Sequence, residues 1–190
     1  MSVKIAAMPS NRRAQPQAEK RAELISAARD LFVQDGYDPT PMNRIAQKAG
    51  VTPNTIYWYF KDKDELLLAV LDTVLQEDLA AYDSVRQWPL ADQMVWLVGR
   101  LNRTSSLMAT VHSRIRVSPA LNAWHDRFHA LVEALLLAQL PGPLPPASRD
   151  AEIRIISFAI EGLVSHQVDP DATRQTCEAL AARCLALAGH

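Results

Sequence analysis

At 190 residues, 48% of them apolar, the chain is long enough for one or two compact domains with a sizeable core. Six glycines, 6% aromatics and abundant Leu and Ala favour helices over sheets, and two cysteines exclude a disulfide framework. The net charge of −1 argues against a nucleic-acid binder by bulk charge, but residues 1–63 hold ten Lys and Arg against six Asp and Glu, and residues 64–190 hold ten against fifteen. All five lysines (Lys4, Lys20, Lys48, Lys61, Lys63) fall in the first part, and a basic head on an acidic body suits a molecule with one end facing phosphate.

Residues 1–18 contain two prolines, little apolar periodicity and the basic pair Arg12-Arg13. They read as a flexible arm, either touching a DNA backbone or remaining a disordered tail. The first helix spans about 19–34, with Leu24, Ala28, Leu31 and Phe32 on its inner face, and Asp35-Gly36 ends it. A second, short helix follows Thr40 as N-cap and Pro41 at its first position. Met42, Ile45, Ala46 and Ala49 form its apolar face, and Gly50 stops it. Thr52-Pro53 repeats the cap-plus-proline start. Ile56 and Phe60, at i and i+4, share the third helix's inner face. Pro53, Asn54, Thr55, Tyr57, Trp58 and Tyr59 fall on its outer face or edges, close to Lys61 and Lys63. Helix, glycine-containing turn and second helix with a polar outer face is the layout of a helix-turn-helix.

A fourth helix is expected from about 62 or 63 to 87, with Leu66, Leu67, Val70, Leu71, Val74, Leu75 and Leu79 in a broad apolar stripe; Trp88-Pro89 breaks it. Further helices are expected over about 90–102, 105–116 and 118–140. The run PGPLPP, 141–146, is a loop. An eighth helix covers about 147–167, and Asp169-Pro170 opens the last, to about 188. No strand pattern, no repeat and no apolar run long enough for a membrane span occurs. With no apolar leader segment expected either, a cytoplasmic protein is the simplest reading.

The head resembles the TetR family of transcriptional regulators. Gly36-Tyr37, Thr40, Ile45-Ala46, Ala49-Gly50-Val51-Thr52, Thr55, Tyr57, Tyr59-Phe60, Lys63 and Leu66 match that family's N-terminal pattern over roughly 21–71. Ile56-Tyr57-Trp58-Tyr59 is similar to the recognition helix of the tetracycline repressor. Pro53 and Asn54 depart from the commoner residues of the family and leave the operator sequence open. Gly162-Leu163 followed by Asp169-Pro170-Asp171 resembles the C-terminal pattern of the BetI-like branch.

The resemblance implies an all-α fold of about nine helices: an N-terminal three-helix DNA-binding domain over 19–65, after the arm at 1–18, and a larger effector-binding and dimerisation domain over 66–190. It implies a homodimer on double-stranded operator DNA, with Thr40, Tyr57, Tyr59 and Lys63 as phosphate contacts. The Thr52 hydroxyl also suits phosphate, and the helix starts at Pro41 and Pro53 present backbone N–H groups. Asn43, Arg44, Asn54, Thr55 and Trp58 are candidates for further or base contacts: Arg44 for guanine, Asn54 for adenine, Trp58 for a thymine methyl. Core packing is the competing reading for Trp58 and Tyr59.

The resemblance also implies pairing of the last two helices with those of a second subunit. The apolar stripes there run through Ile156, Ile160 and Leu163, and through Cys177, Leu180 and Cys184; covering the monomer's own core is the alternative. For a small apolar or amphipathic effector the candidate residues are Trp96, Arg103, Met108, His112, Trp124, Phe128, Phe158 and Glu161, although aromatics at helical spacing also serve as core. His125 and His129 have metal-ligand spacing but no evident third ligand, so no metal and no cofactor is assigned. Cys177 and Cys184 stand roughly 10 Å apart by helical rise, too far for an intrachain bridge; meeting across a dimer axis would make a redox-responsive regulator. No GxSxG, P-loop, GxGxxG or HExxH motif is present, and an enzyme is not expected.

Overall fold

Nine α-helices and no strand make up the described residues, 14–189, of this computed structural model: α1 (Ala14–Gln34), α2 (Met42–Lys48), α3 (Pro53–Tyr59), α4 (Lys63–Tyr82), α5 (Leu90–Arg103), α6 (Ser105–Arg114), α7 (Pro119–Leu137), α8 (Arg149–Ser165) and α9 (Pro170–Ala188). Most of the expected arm, with Arg12 and Arg13, lies outside the described residues. Residues 14–18, expected to belong to that arm, are instead the first turns of α1. The chain divides into two compact units, one ending at Val70 and the other beginning at Leu71.

Two starts and one stop show how the sequence sets its boundaries. Thr52 caps α3, its Oγ1 accepting from Thr55 N at 3.3 Å, with Pro53 at the first helical position. Asp169 caps α9, its Oδ1 accepting from Asp171 N and Ala172 N at 3.1 and 3.0 Å. Gly50 adopts φ +67 just beyond α2, a left-handed conformation that the α2–α3 turn requires. The start of α2 differs from expectation. Pro41, not Thr40, is the N-cap residue, and no side chain caps it.

In the first unit Leu24, Ala28, Phe32, Ile45, Ala46, Ile56, Phe60, Leu66, Leu67 and Val70 are buried, so four helices close on one apolar centre. Ion pairs Arg44–Asp35 and Lys48–Asp30, both 2.9 Å, tie α2 to the end of α1.

The second unit has its core where α5, α8 and α9 meet. Leu90, Met94 and Val98 of α5 pack with Ile156, Ile160, Leu163 and Val164 of α8 and with Cys177, Leu180, Ala181 and Cys184 of α9. Polar ties hold the edges. Arg174 bonds Asp92 at 2.8 Å, and Arg183 grips Glu152 through two bonds of 2.7 and 2.8 Å, holding that carboxyl below the usual range. α4 stops at Tyr82, five residues before the expected 87. Gln93 of α5 fixes the turn that follows: its amide donates to the carbonyls of Arg86 and Trp88, and its oxygen accepts from Tyr82 Oη at 2.7 Å.

Candidate nucleic-acid interface and internal cavity

The outer face of α3 is built as the sequence pattern requires. Ile56 is fully buried and faces the head's core, which turns Tyr57 and Trp58 outward, 53% and 66% exposed. Trp58 packs edge-on against half-buried Tyr59, ring centroids 4.8 Å apart. Pro53 and Asn54 are exposed beside them. The hydroxyls of Thr52 and Thr55 bond each other at 2.9 Å, which positions both at the helix start. On α2, Asn43 is exposed, and Arg44 is exposed but paired with Asp35. The face therefore offers aromatic, amide and hydroxyl groups on one short helix, a set able to meet base edges and phosphate oxygens.

Two expected phosphate contacts have other tasks. Thr40 is fully buried, and its Oγ1 donates to Gly36 O at 2.7 Å. The Lys63 ammonium points into the same corner, donating to the carbonyls of Tyr37, Asp38 and Thr40 at 2.9, 3.4 and 3.2 Å, and sits 4.1 Å from the Tyr37 ring centroid. Tyr37 itself donates to Asp64 and packs on Phe32. Together these groups lock residues 36–40 and set how α2 leaves α1. The hydroxyl and the ammonium are used inside the head.

The second unit contains a cavity of about 450 Å³, within the range that accepts a small organic molecule. Leu75 and Leu79 of α4, Leu97 and Leu101 of α5, Leu131, Val132, Leu135 and Leu136 of α7, and Ile153 of α8 line it. All are half-buried, since they face a hollow and not a packed neighbour. Of the eight expected effector residues, Trp96, Met108, His112, Phe128 and Glu161 line the cavity. The other three do not. Trp124 is 4% exposed, bonded through its indole N–H to Asp72 at 2.9 Å and stacked on Phe128, so it backs the wall. Phe158 is 68% exposed on the outside of α8, and Arg103 is exposed away from the lining. The α7 residues were missed by sequence reasoning, although the run ALVEALLL carries more apolar positions than one core-facing stripe needs. His129 was missed as well; its Nε2 lies 3.3 Å from Glu161 Oε1. Among the described residues no group of three or more His, Cys, Asp or Glu side chains is placed to hold a metal ion.

Residues 24–70 match the family described as "Bacterial regulatory proteins, tetR family". The match is confined to the head, residues 24–70. The chain is similar to the HTH-type transcriptional regulator HbdR of Aromatoleum sp. (strain CIB), 46% identical over 57 residues, which are 30% of this chain and 25% of that protein. The chain spans about a quarter of the length of the curated relatives it matches. Beyond the head the likeness is one of fold. A TetR transcription regulator from Haloarcula marismortui superimposes with a TM-score of 0.71 at 19% identity, covering 88% of this chain and 99% of that one. A protein of Saccharomonospora viridis, solved in complex with choline, does so with a TM-score of 0.66 at 22% identity, covering 86% and 95%. No helix of the described residues is long and apolar enough to cross a membrane.

The expected dimer residues lie within the second unit's own core. Ile156, Ile160, Leu163, Cys177, Leu180 and Cys184 are all 8% exposed or less in a single chain, because α5 already covers them. The redox reading loses its footing on the same ground. Both cysteines are free and buried, and burial pushes the Cys177 thiol up to about 11 and the Cys184 thiol up as well, away from the reactive thiolate. The opposite faces of the two helices are open. On α8, Ala151, Ile155, Phe158 and half-buried Gly162 follow one another at helical spacing; on α9, Gln175, Ala179, Ala182 and Ala186 do so, with Leu185 beside them.

Proposed function

We propose that this chain is a ligand-responsive transcriptional regulator, most simply a cytoplasmic repressor, which binds a palindromic operator as a homodimer and leaves it when a small molecule enters the cavity. The observation that carries this reading is the outward pair Tyr57 and Trp58 on α3. Two large aromatic side chains more than half exposed on a seven-residue helix lie outside the head's core, and they suit the floor of a major groove. Asn43, Asn54, Thr55 and Tyr59 complete the contact surface. Arg44 joins it by exchanging Asp35 for a base or phosphate.

The homodimer is assigned to the open stripes of α8 and α9. Phe158 and Ile155 supply bulk, and Ala179, Ala182 and Ala186 allow close approach of a symmetry-related helix pair, giving an isologous interface. The sequence from Gly162-Leu163 to Asp169-Pro170-Asp171 supports grouping this pair with the BetI-like branch, and Asp169 has a physical task there as the cap of α9. The choline complex of the Saccharomonospora viridis protein supports reading the second unit as a ligand-binding body.

The test is selection of duplexes from a random library by the purified protein, followed by titration of the selected site. The reading expects a two-fold symmetric site whose half-sites lie one helical turn or a multiple apart, with affinity falling steeply between about 50 and 200 mM salt. Replacing Tyr57 and Trp58 together by Ala should abolish site-specific binding with the helical circular dichroism unchanged. Selection of no common sequence, or undiminished binding by the double variant, would sink the proposal.

A further inference from the structure

The cavity wall carries an unbalanced charge. Three carboxylates line it, Asp78, Glu133 and Glu161, and among the described residues no lysine or arginine does. Arg100 reaches Asp78, and Arg149 reaches Glu133 at 3.0 Å, so both acids have a standing cation. Glu161 has the His129 imidazole instead, at 3.3 Å. That imidazole is shared: its Nε2 is also 3.1 Å from His125 Nε2, and the His112 ring packs edge-on to His125 with centroids 5.1 Å apart. Burial first, then repulsion from His129 and His112, holds His125 below the ordinary imidazole value, which keeps this ring neutral at neutral pH.

We infer that the cavity takes a lipophilic organic cation, its hydrocarbon against the leucine-rich walls and its positive charge on Glu161. The inference rests on the reading of the cavity as the effector site. An anion entering the same space meets the Glu161 charge in a medium of reduced dielectric and is repelled, and a neutral molecule gains a hydrogen bond to the carboxylate at most. A cation takes the place of the His129 imidazole beside the Glu161 carboxylate. Phe128, 5.7 Å from the His129 ring, adds an aromatic surface beside that position; Trp96 is already occupied by the Arg100 guanidinium at 5.7 Å.

The test compares two ions of nearly equal size and shape, tetraphenylphosphonium and tetraphenylborate, by calorimetric titration of the full chain. The phosphonium should bind and the borate should bind at least about tenfold more weakly, a difference of the size expected for one charge pair in a partly desolvated site. Glu161→Gln should erase most of that preference, and Glu161→Asp, which keeps the charge, should retain it. Ser157→Phe, which fills the cavity, should block both ions. If Ser157→Phe blocks binding but the two ions bind equally in the wild type and in Glu161→Gln, the cavity stands and the cation inference is overturned. If neither ion binds, the effector-site reading falls and takes the cation inference with it.

Discussion

Lys63 separates what a motif states from what a side chain does. Family resemblance places it at the DNA backbone, and its position next to an exposed aromatic helix agrees. In the folded head its three N–H donors meet the carbonyls of Tyr37, Asp38 and Thr40, 23 to 26 residues earlier in the chain. Spacing along a helix reports which face a residue occupies, but not which distant carbonyls will turn toward it, so this corner was not legible in the sequence. Thr40 fails in the same way, as a short hydroxyl turned inward to Gly36 O. The outward facing of Tyr57 and Trp58 was legible because a single buried neighbour, Ile56, fixes the facing of a two-turn helix. The expected outcome for Lys63→Met is a loss of about 1–3 kcal/mol of head stability, since charged hydrogen bonds to carbonyls of a tight corner are removed. Thermal unfolding followed by circular dichroism checks it. An unchanged melting curve would return Lys63 to the role of a pure phosphate contact.

At the scale of elements, the helices were legible because their starts are marked by proline and a polar cap and their apolar residues recur at helical spacing. Eight of the nine start within two residues of the expected position, and α1 alone begins five residues early. The faces of α8 and α9 were not legible. Each helix is apolar on two sides, and the sequence shows no reason to prefer one. The structure gives the broader stripes, through Ile160 and Cys177, to α5 and leaves the stripes through Phe158 and Ala182 in water. Phe158→Glu is therefore expected to convert the proposed dimer to a monomer with its helical content intact, and Ile160→Glu to unfold the second unit by burying an unpaired charge. Sedimentation velocity together with circular dichroism distinguishes the two. A dimer that survives Phe158→Glu would place the subunit contact elsewhere.

At the scale of the whole molecule, α4 is the one helix that belongs to both units. It starts at Lys63, in the corner that fixes the head, and runs unbroken past Val70 to Tyr82, with Leu75, Leu79 and Tyr82 on the cavity wall. On the proposed function, a molecule that spreads the cavity acts on α4, whose first turn lies in the head. In the proposed homodimer two heads must match two half-sites at once, so a small change in their separation spoils both fits. The existence of a cavity could not be read from the sequence, because the leucines that line a hollow and those that fill a core obey the same periodicity.

The measurement that tests this account most directly is the affinity of a molecule that displaces the protein from its selected operator, taken for the free protein and for the protein saturated with operator duplex. The account predicts weaker binding to the DNA-bound protein, by the same factor by which that molecule weakens operator binding, since coupling between two sites is reciprocal. Equal affinities in the two states would contradict it.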